Sequence, residues 1–146
     1  MSLSKGSYTS ARELISEEEA KEAVSNRRVL ICNVWRNIST FPVKRQPLAL
    51  LDCSTTKPSE FFTVELVFED RIGENQGVVP SKDHNWYYFP DMLKDEALIF
   101  KTYDSLDDGV TSRFTMHTAF ADPSTQSNHP TRESIEVRVV AIMPPK

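Results

Sequence analysis

Arg113-Phe114-Thr115-Met116-His117-Thr118-Ala119-Phe120, followed after a polar loop by Arg132-Glu133-Ser134-Ile135-Glu136-Val137-Arg138, is the stretch on which the fold turns. Each half alternates as a β-strand does, and each places polar side chains where a core strand would carry apolar ones. A histidine on one strand with Arg-x-Ser on the next suits a metal ion or a carboxylate.

Working back from there, the chain reads as a short helical segment followed by seven or eight short strands. Ser10 with Glu13, and Ser16 with Glu19, each have the spacing of a capping box. One or two helices are therefore expected within residues 1–27, with strands over 28–143. Val29-Leu30-Ile31-Cys32-Asn33-Val34-Trp35 is rich in branched and aromatic residues and reads as a buried strand. Leu48-Ala49-Leu50-Leu51-Asp52-Cys53 is a strand or a single helical turn, and residues 61–68 form a further strand. Asp70-Arg71-Ile72-Gly73-Glu74-Asn75-Gln76-Gly77 reads as a turn region on its glycines. Asn85-Trp86-Tyr87-Tyr88-Phe89-Pro90 is the aromatic centre, and Ala97-Leu98-Ile99-Phe100-Lys101-Thr102-Tyr103 is the next strand. The pattern predicts a mainly β single domain spanning 1–146, a barrel or jelly roll.

Bulk properties narrow the function classes. A net charge of -4 and a pI near 5.4 leave no clustered Lys and Arg for a nucleic-acid groove. No apolar run approaches the roughly 18 residues of a membrane span, and the first residues contain no apolar secretory core. Cys32 and Cys53 fall in apolar segments, where reduced thiols behave as small hydrophobes. The expectation is a cytoplasmic protein with a small-molecule substrate and neither nucleic-acid nor membrane partner.

Several residues carry candidate chemistry. His117 can ligate a metal or transfer a proton near neutral pH; the plainer reading is a hydrogen-bonded histidine on a half-buried strand. Arg132 and Ser134, two apart on one strand face, can hold a carboxylate, or Arg132 can pair with Glu133 or Glu136. His84, Asn85, Trp86, Tyr87 and Tyr88 can line a pocket, although alternate aromatics also build cores. Trp35-Arg36 would bring a cation to the pocket mouth, or Arg36 simply pairs with an acidic neighbour. Phosphate loops, nucleophile elbows and close pairs of metal-ligand histidines are absent.

Six segments occur together in order: Asn33-Val34-Trp35-Arg36, Pro47-Leu48-Ala49-Leu50-Leu51-Asp52, Trp86-Tyr87-Tyr88-Phe89-Pro90-Asp91-Met92, Tyr103-Asp104-Ser105, His117-Thr118-Ala119-Phe120-Ala121-Asp122-Pro123 and the Arg132 to Arg138 run. As a set they resemble the C-terminal half of the AsaB/CmcJ-type hydroxylase/desaturase family of fungal natural-product pathways. The resemblance covers roughly residues 28–142. It implies a double-stranded β-helix (jelly-roll or cupin-like) barrel, here truncated, related to the Fe(II)/2-oxoglutarate oxygenases. It also implies that His117 is the second histidine of an iron triad and that Arg132 and Ser134 grip the distal carboxylate of 2-oxoglutarate. The His-x-Asp that supplies the other two ligands would lie upstream of Asn33, and residues 1–27 contain no histidine. Asn37 and Met116 stand where the family often has proline.

With one triad histidine in hand, the reading ranked first is a tailoring enzyme that uses acid–base chemistry without a cofactor, of isomerase, cyclase, dehydratase or other lyase type. In it His117 is the acid or base, His84 or Tyr88 its helper, and Arg132 the anchor, with Ser134, Trp86, Trp35 and Arg36 contributing to binding. The alternative is a hydroxylase or desaturase using Fe(II) and 2-oxoglutarate, with His117 as the metal ligand. The third reading is a non-catalytic partner subunit. Open sheet edges make a homodimer the expected state under all three.

Overall fold

Ser16 begins the helix at which the described chain starts. The computed structural model describes residues 16–144 except 71 and 127, so the helix expected from Ser10 lies outside the described residues. Helix α1 (Glu17–Asn26) has the capping box read from the sequence: Ser16 Oγ accepts from the Glu19 amide, and Glu19 Oε2 accepts from the Ser16 amide at 3.1 Å. Glu17, Glu18 and Glu19 in the first turn also complement the positive end of the helix dipole.

Strand β1 (Val29–Asn37) sits at the centre of the first sheet because one of its faces is wholly buried: Val29, Ile31, Asn33, Trp35 and Asn37 alternate with more open residues. It pairs antiparallel with β6 (Ala97–Asp104) on one side and β8 (Ser134–Ile142) on the other. The second sheet is built on β2 (Leu48–Leu51), which pairs antiparallel with β5 (Trp86–Tyr88) and β7 (His117–Ala119). Trp35, Leu98 and Phe100 of the first sheet meet Leu48 and Leu50 of the second, and Val43 and Met92 close the cluster from the connections. Each such large apolar side chain contributes about 1.5–3 kcal/mol on burial. Two facing antiparallel sheets of three strands give the mainly β, double-stranded β-helix fold. Among the described residues no helix is long and apolar enough to cross a membrane.

Three local features differ from the expected pattern. Residues 72–77, expected as part of a turn, belong to strand β4 (Ile72–Val78) in a hairpin with β3 (Phe61–Val67). The glycines there serve ring packing: a Cβ on Gly77 would lie 2.3 Å from Cζ of Phe62, the residue directly across the hairpin. The run Arg113 to Phe120 is not one strand. Thr115 N donates to Lys101 O of the first sheet, whereas Met116 O accepts from Leu51 N of the second. The chain thus crosses between sheets at 115–116 and delivers His117 to their seam. Finally, β1 and β6 slip register between Ile31 and Cys32, leaving Thr102 as the extra residue of a bulge. The bulge brings Lys101 and Asp104 to the same face, where Lys101 Nζ donates to Asp104 Oδ2 at 2.8 Å.

Candidate functional site

Register decides which residues share the face between the sheets, because directly paired residues project to the same side. On the second sheet Leu50 pairs with both His117 and Tyr87, so those side chains point inward with it. On the first sheet Asn33 pairs with Phe100 and Arg138, and Trp35 with Leu98 and Glu136. The sheets meet where the Phe100 and His117 rings lie 4.5 Å apart, tilted by 55°.

His117 is held from one side only. Its Nδ1 lies 3.1 Å from Thr115 O, and a carbonyl oxygen only accepts, so Nδ1 carries the proton. In the neutral ring Nε2 is then an acceptor, with no hydrogen-bond partner among the described residues. Arg132 extends from the approach to β8 over the indole of Trp35, its guanidinium carbon 5.7 Å from the ring centroid. Nη1 donates to Gln46 O at 2.6 Å, and no ion pair joins the guanidinium to Glu133 or Glu136. Gln46 reaches that position with a left-handed backbone, φ 52°. Ser134 opens β8 across from Asn37, on the same inward face. Trp35 is a core residue that supports Arg132, with 3% of its surface exposed.

Other expected members lie elsewhere. Trp86 and Tyr88 pair with Leu51 and Ala49, so they face away from His117. Tyr88 instead lines a cavity of about 260 Å³ with Lys44, Asp91, Asp122, Thr125 and His129, and Lys44 is already paired there with Asp91 at 2.6 Å. Arg36 projects from the outer face of β1, opposite to Trp35, and donates to Lys94 O. His84 is sealed, its side chain 1% exposed and its Nε2 2.9 Å from Glu60 Oε2. That histidine, followed by the Lys57 amide, holds the Glu60 carboxyl below its ordinary range. By register Tyr87, not Tyr88, is the tyrosine on the face of His117, and His84 is engaged by Glu60.

Two further polar residues share this face, Asn33 and Glu136, which residue type alone does not single out. Asn33 Nδ2 donates to Glu136 Oε1 at 2.6 Å on the inward face. Strand parity was the available signal: Asn33 has the parity of Ile31 and Trp35, and a buried asparagine in an apolar strand calls for a reason.

An iron centre needs several converging donor side chains. Among the described residues no three His, Cys, Asp or Glu side chains come together as a metal site. His117, with Nδ1 fixed by a carbonyl, has the orientation of a metal-ligating imidazole. One imidazole does not hold iron, so the described residues do not fit that centre.

A family model described as an oxidoreductase/YMDC permease-like domain matches residues 4–142. The hydroxylase/desaturase asaB of Aspergillus flavus is 35% identical over 133 residues, covering 82% of this chain and 57% of that protein. The aspirochlorine biosynthesis protein N of Aspergillus oryzae is 36% identical over 124 residues, covering 83% of this chain and 50% of that protein. A solved structure of the iron and alpha-ketoglutarate-dependent endoperoxidase NvfI aligns with TM-score 0.84 at 28% identity, over 99% of this chain and 51% of that one. The chain spans about half the length of the curated relatives it matches. The resemblance to fungal hydroxylase/desaturases read from the motifs is borne out.

Proposed function

Since the chain belongs to the oxidoreductase/YMDC permease-like domain family, we propose that it forms a small-molecule pocket of a natural-product tailoring enzyme, in which Arg132 anchors a carboxylate and His117 faces the reacting part of the molecule. One observation carries the reading. Arg132, over Trp35, and His117, against Phe100, lie on the facing surfaces of two sheets with Nε2 of the histidine uncommitted. A guanidinium backed by an indole and a carbonyl oxygen is preorganised for a planar anion. An imidazole whose Nδ1–H is fixed accepts a proton at Nε2, which is the requirement for isomerase, cyclase or dehydratase chemistry.

The oxidative reading, a hydroxylase or desaturase using Fe(II) and 2-oxoglutarate, draws support from the relatives, one named a hydroxylase/desaturase and another an iron and alpha-ketoglutarate-dependent endoperoxidase. It requires metal ligands beyond those the described residues supply. Isothermal titration of 2-oxoglutarate tests the shared part of both readings. Binding is expected, and Arg132→Ala is expected to weaken it by about tenfold or more. Unchanged affinity in that variant would remove the anchor. Turnover indifferent to EDTA would then select the acid–base reading, and iron-dependent consumption of 2-oxoglutarate the oxidative one.

A second copy is the partner this reading expects. β8 is a sheet edge among the described residues and exposes Ile135, Val137 and Val139, an arrangement prone to strand pairing. Sedimentation at micromolar concentration is expected to show a dimer; a monomer there would overturn it.

A further inference from the structure

Asn33 lies mid-strand on the inward face of β1, 2% exposed, between Phe100 of β6 and Arg138 of β8. Its Nδ2 donates to Glu136 Oε1, while its buried Oδ1 has no hydrogen-bond partner among the described residues. Turning the amide over would not relieve this, because Oδ1 would then face a carboxylate that only accepts. Leaving a buried carbonyl unpaired is unfavourable, so packing alone does not account for an asparagine here. The effect of the arrangement lies outside Asn33. It fixes the carboxylate of Glu136, which is exposed on the inward face directly across from Trp35.

Arg132 lies over the same indole and is bonded to Gln46 O, with no ion pair to Glu136. A cation and an anion thus flank Trp35 without satisfying each other. One oxygen of Glu136 is committed to Asn33, and the other is left to accept a further bond. Resting on the reading that Arg132 holds a carboxylate, we infer that Glu136, positioned by Asn33, is the opposite end of the same pocket and recognises a hydrogen-bond donor. The ligand class is a small molecule with a carboxylate at one end, for Arg132, and a hydroxyl or ammonium group at the other, for Glu136. Glu136 is a binding residue in this assignment, and Asn33 is a positioning residue.

Calorimetric titration of the full chain with three probes tests it: 4-(aminomethyl)benzoate, 4-(hydroxymethyl)benzoate and 4-methylbenzoate. The aminomethyl compound is expected to bind about tenfold tighter than the methyl compound, with the hydroxymethyl compound between them. Glu136→Gln is expected to abolish the preference for the aminomethyl compound without changing affinity for 4-methylbenzoate. Asn33→Leu is expected to reduce the preference several-fold while the melting temperature stays level or rises, a combination that a purely structural asparagine would not give. Equal affinity for the three probes in the wild type, or a preference that survives Glu136→Gln, overturns the role of Glu136. A preference untouched by Asn33→Leu overturns the positioning role. Arg132→Ala is expected to weaken all three alike; if it does not, the anchor reading fails separately. If no probe binds the wild type, both readings fall.

Discussion

Asn33 and Asn37 lie four residues apart on the same face of β1, 2% and 1% exposed, and are held in opposite ways. Asn37 is fully engaged: Nδ2 donates to Phe41 O at 2.8 Å and Met92 O at 3.1 Å, and Oδ1 accepts from Ser39 N at 2.9 Å. It ties the end of β1 to the two connections that close the core. Asn33 has a carbonyl without a partner and directs its amide at an exposed carboxylate. Asp104, on the outer face of the same sheet, resembles Asn37. It accepts from Arg28 Nε at 2.9 Å, Arg28 Nη2 at 2.6 Å, Lys101 Nζ at 2.8 Å and Leu106 N at 3.0 Å. Saturated buried polar groups hold a fold together, whereas a half-saturated one destabilises it slightly and has to be explained by what it positions.

The largest effect that sharpens this comparison is expected at Asp104. Its carboxyl is held far below the ordinary value of 3.8, chiefly by the Arg28 guanidinium, against the opposing effect of its own burial. Asp104→Ala leaves two cations without their anion. Because both are partly open to water, the loss is expected near the low end for a broken buried pair, about 3 kcal/mol. Urea unfolding measures it, and a loss below about 1 kcal/mol would place the cluster among ordinary surface pairs. The pH dependence has a definite sign. A depressed carboxyl contributes stability that is complete above its unfolded value and fades as pH falls through the folded one. Asp104→Asn is therefore expected to flatten the loss of stability below about pH 4 while leaving carboxylate binding at Arg132 intact.

Much of the fold was legible in the residues because strands announce themselves by branched and aromatic side chains. Val29 to Trp35 and Ala97 to Tyr103 reappear as β1 and β6, each extended at its C-terminal end. Strand β4 was read as turn because Gly73 and Gly77 signal flexibility in the one-dimensional pattern. Only the pairing partner, Phe62, shows why Gly77 is there. The site was legible in residue type and less so in facing. Alternation places Tyr87 and Tyr88 on opposite sides of β5 without saying which side is inward; pairing with Leu50 decides for Tyr87. The reading of His84 as a helper to His117 could not include Glu60, 24 residues away in sequence, whose carboxylate lies against its ring.

Asn37→Leu and Asn33→Leu make the same chemical change at two sites on one strand face, and the comparison predicts different results. At position 37 the change leaves the Phe41 carbonyl and the Ser39 amide without their partner, while Met92 O loses one of two bonds and keeps that from Val43 N at 3.0 Å. The groups on Phe41 and Ser39 lie near the surface and regain water, so the expected loss is about 2 kcal/mol rather than the sum of three bonds. At position 33 the change removes an unsatisfied carbonyl from the core and frees a carboxylate that is already exposed, so stability is expected to be unchanged within about 0.5 kcal/mol or to rise. Paired urea titrations read the difference directly. Equal losses at both positions would mean that Asn33 is structural after all, and that the unpartnered Oδ1 is satisfied in solution. A gap of about 2 kcal/mol between the two leucine variants would instead separate the half of the β1 face that builds the fold from the half that presents Glu136 to a ligand.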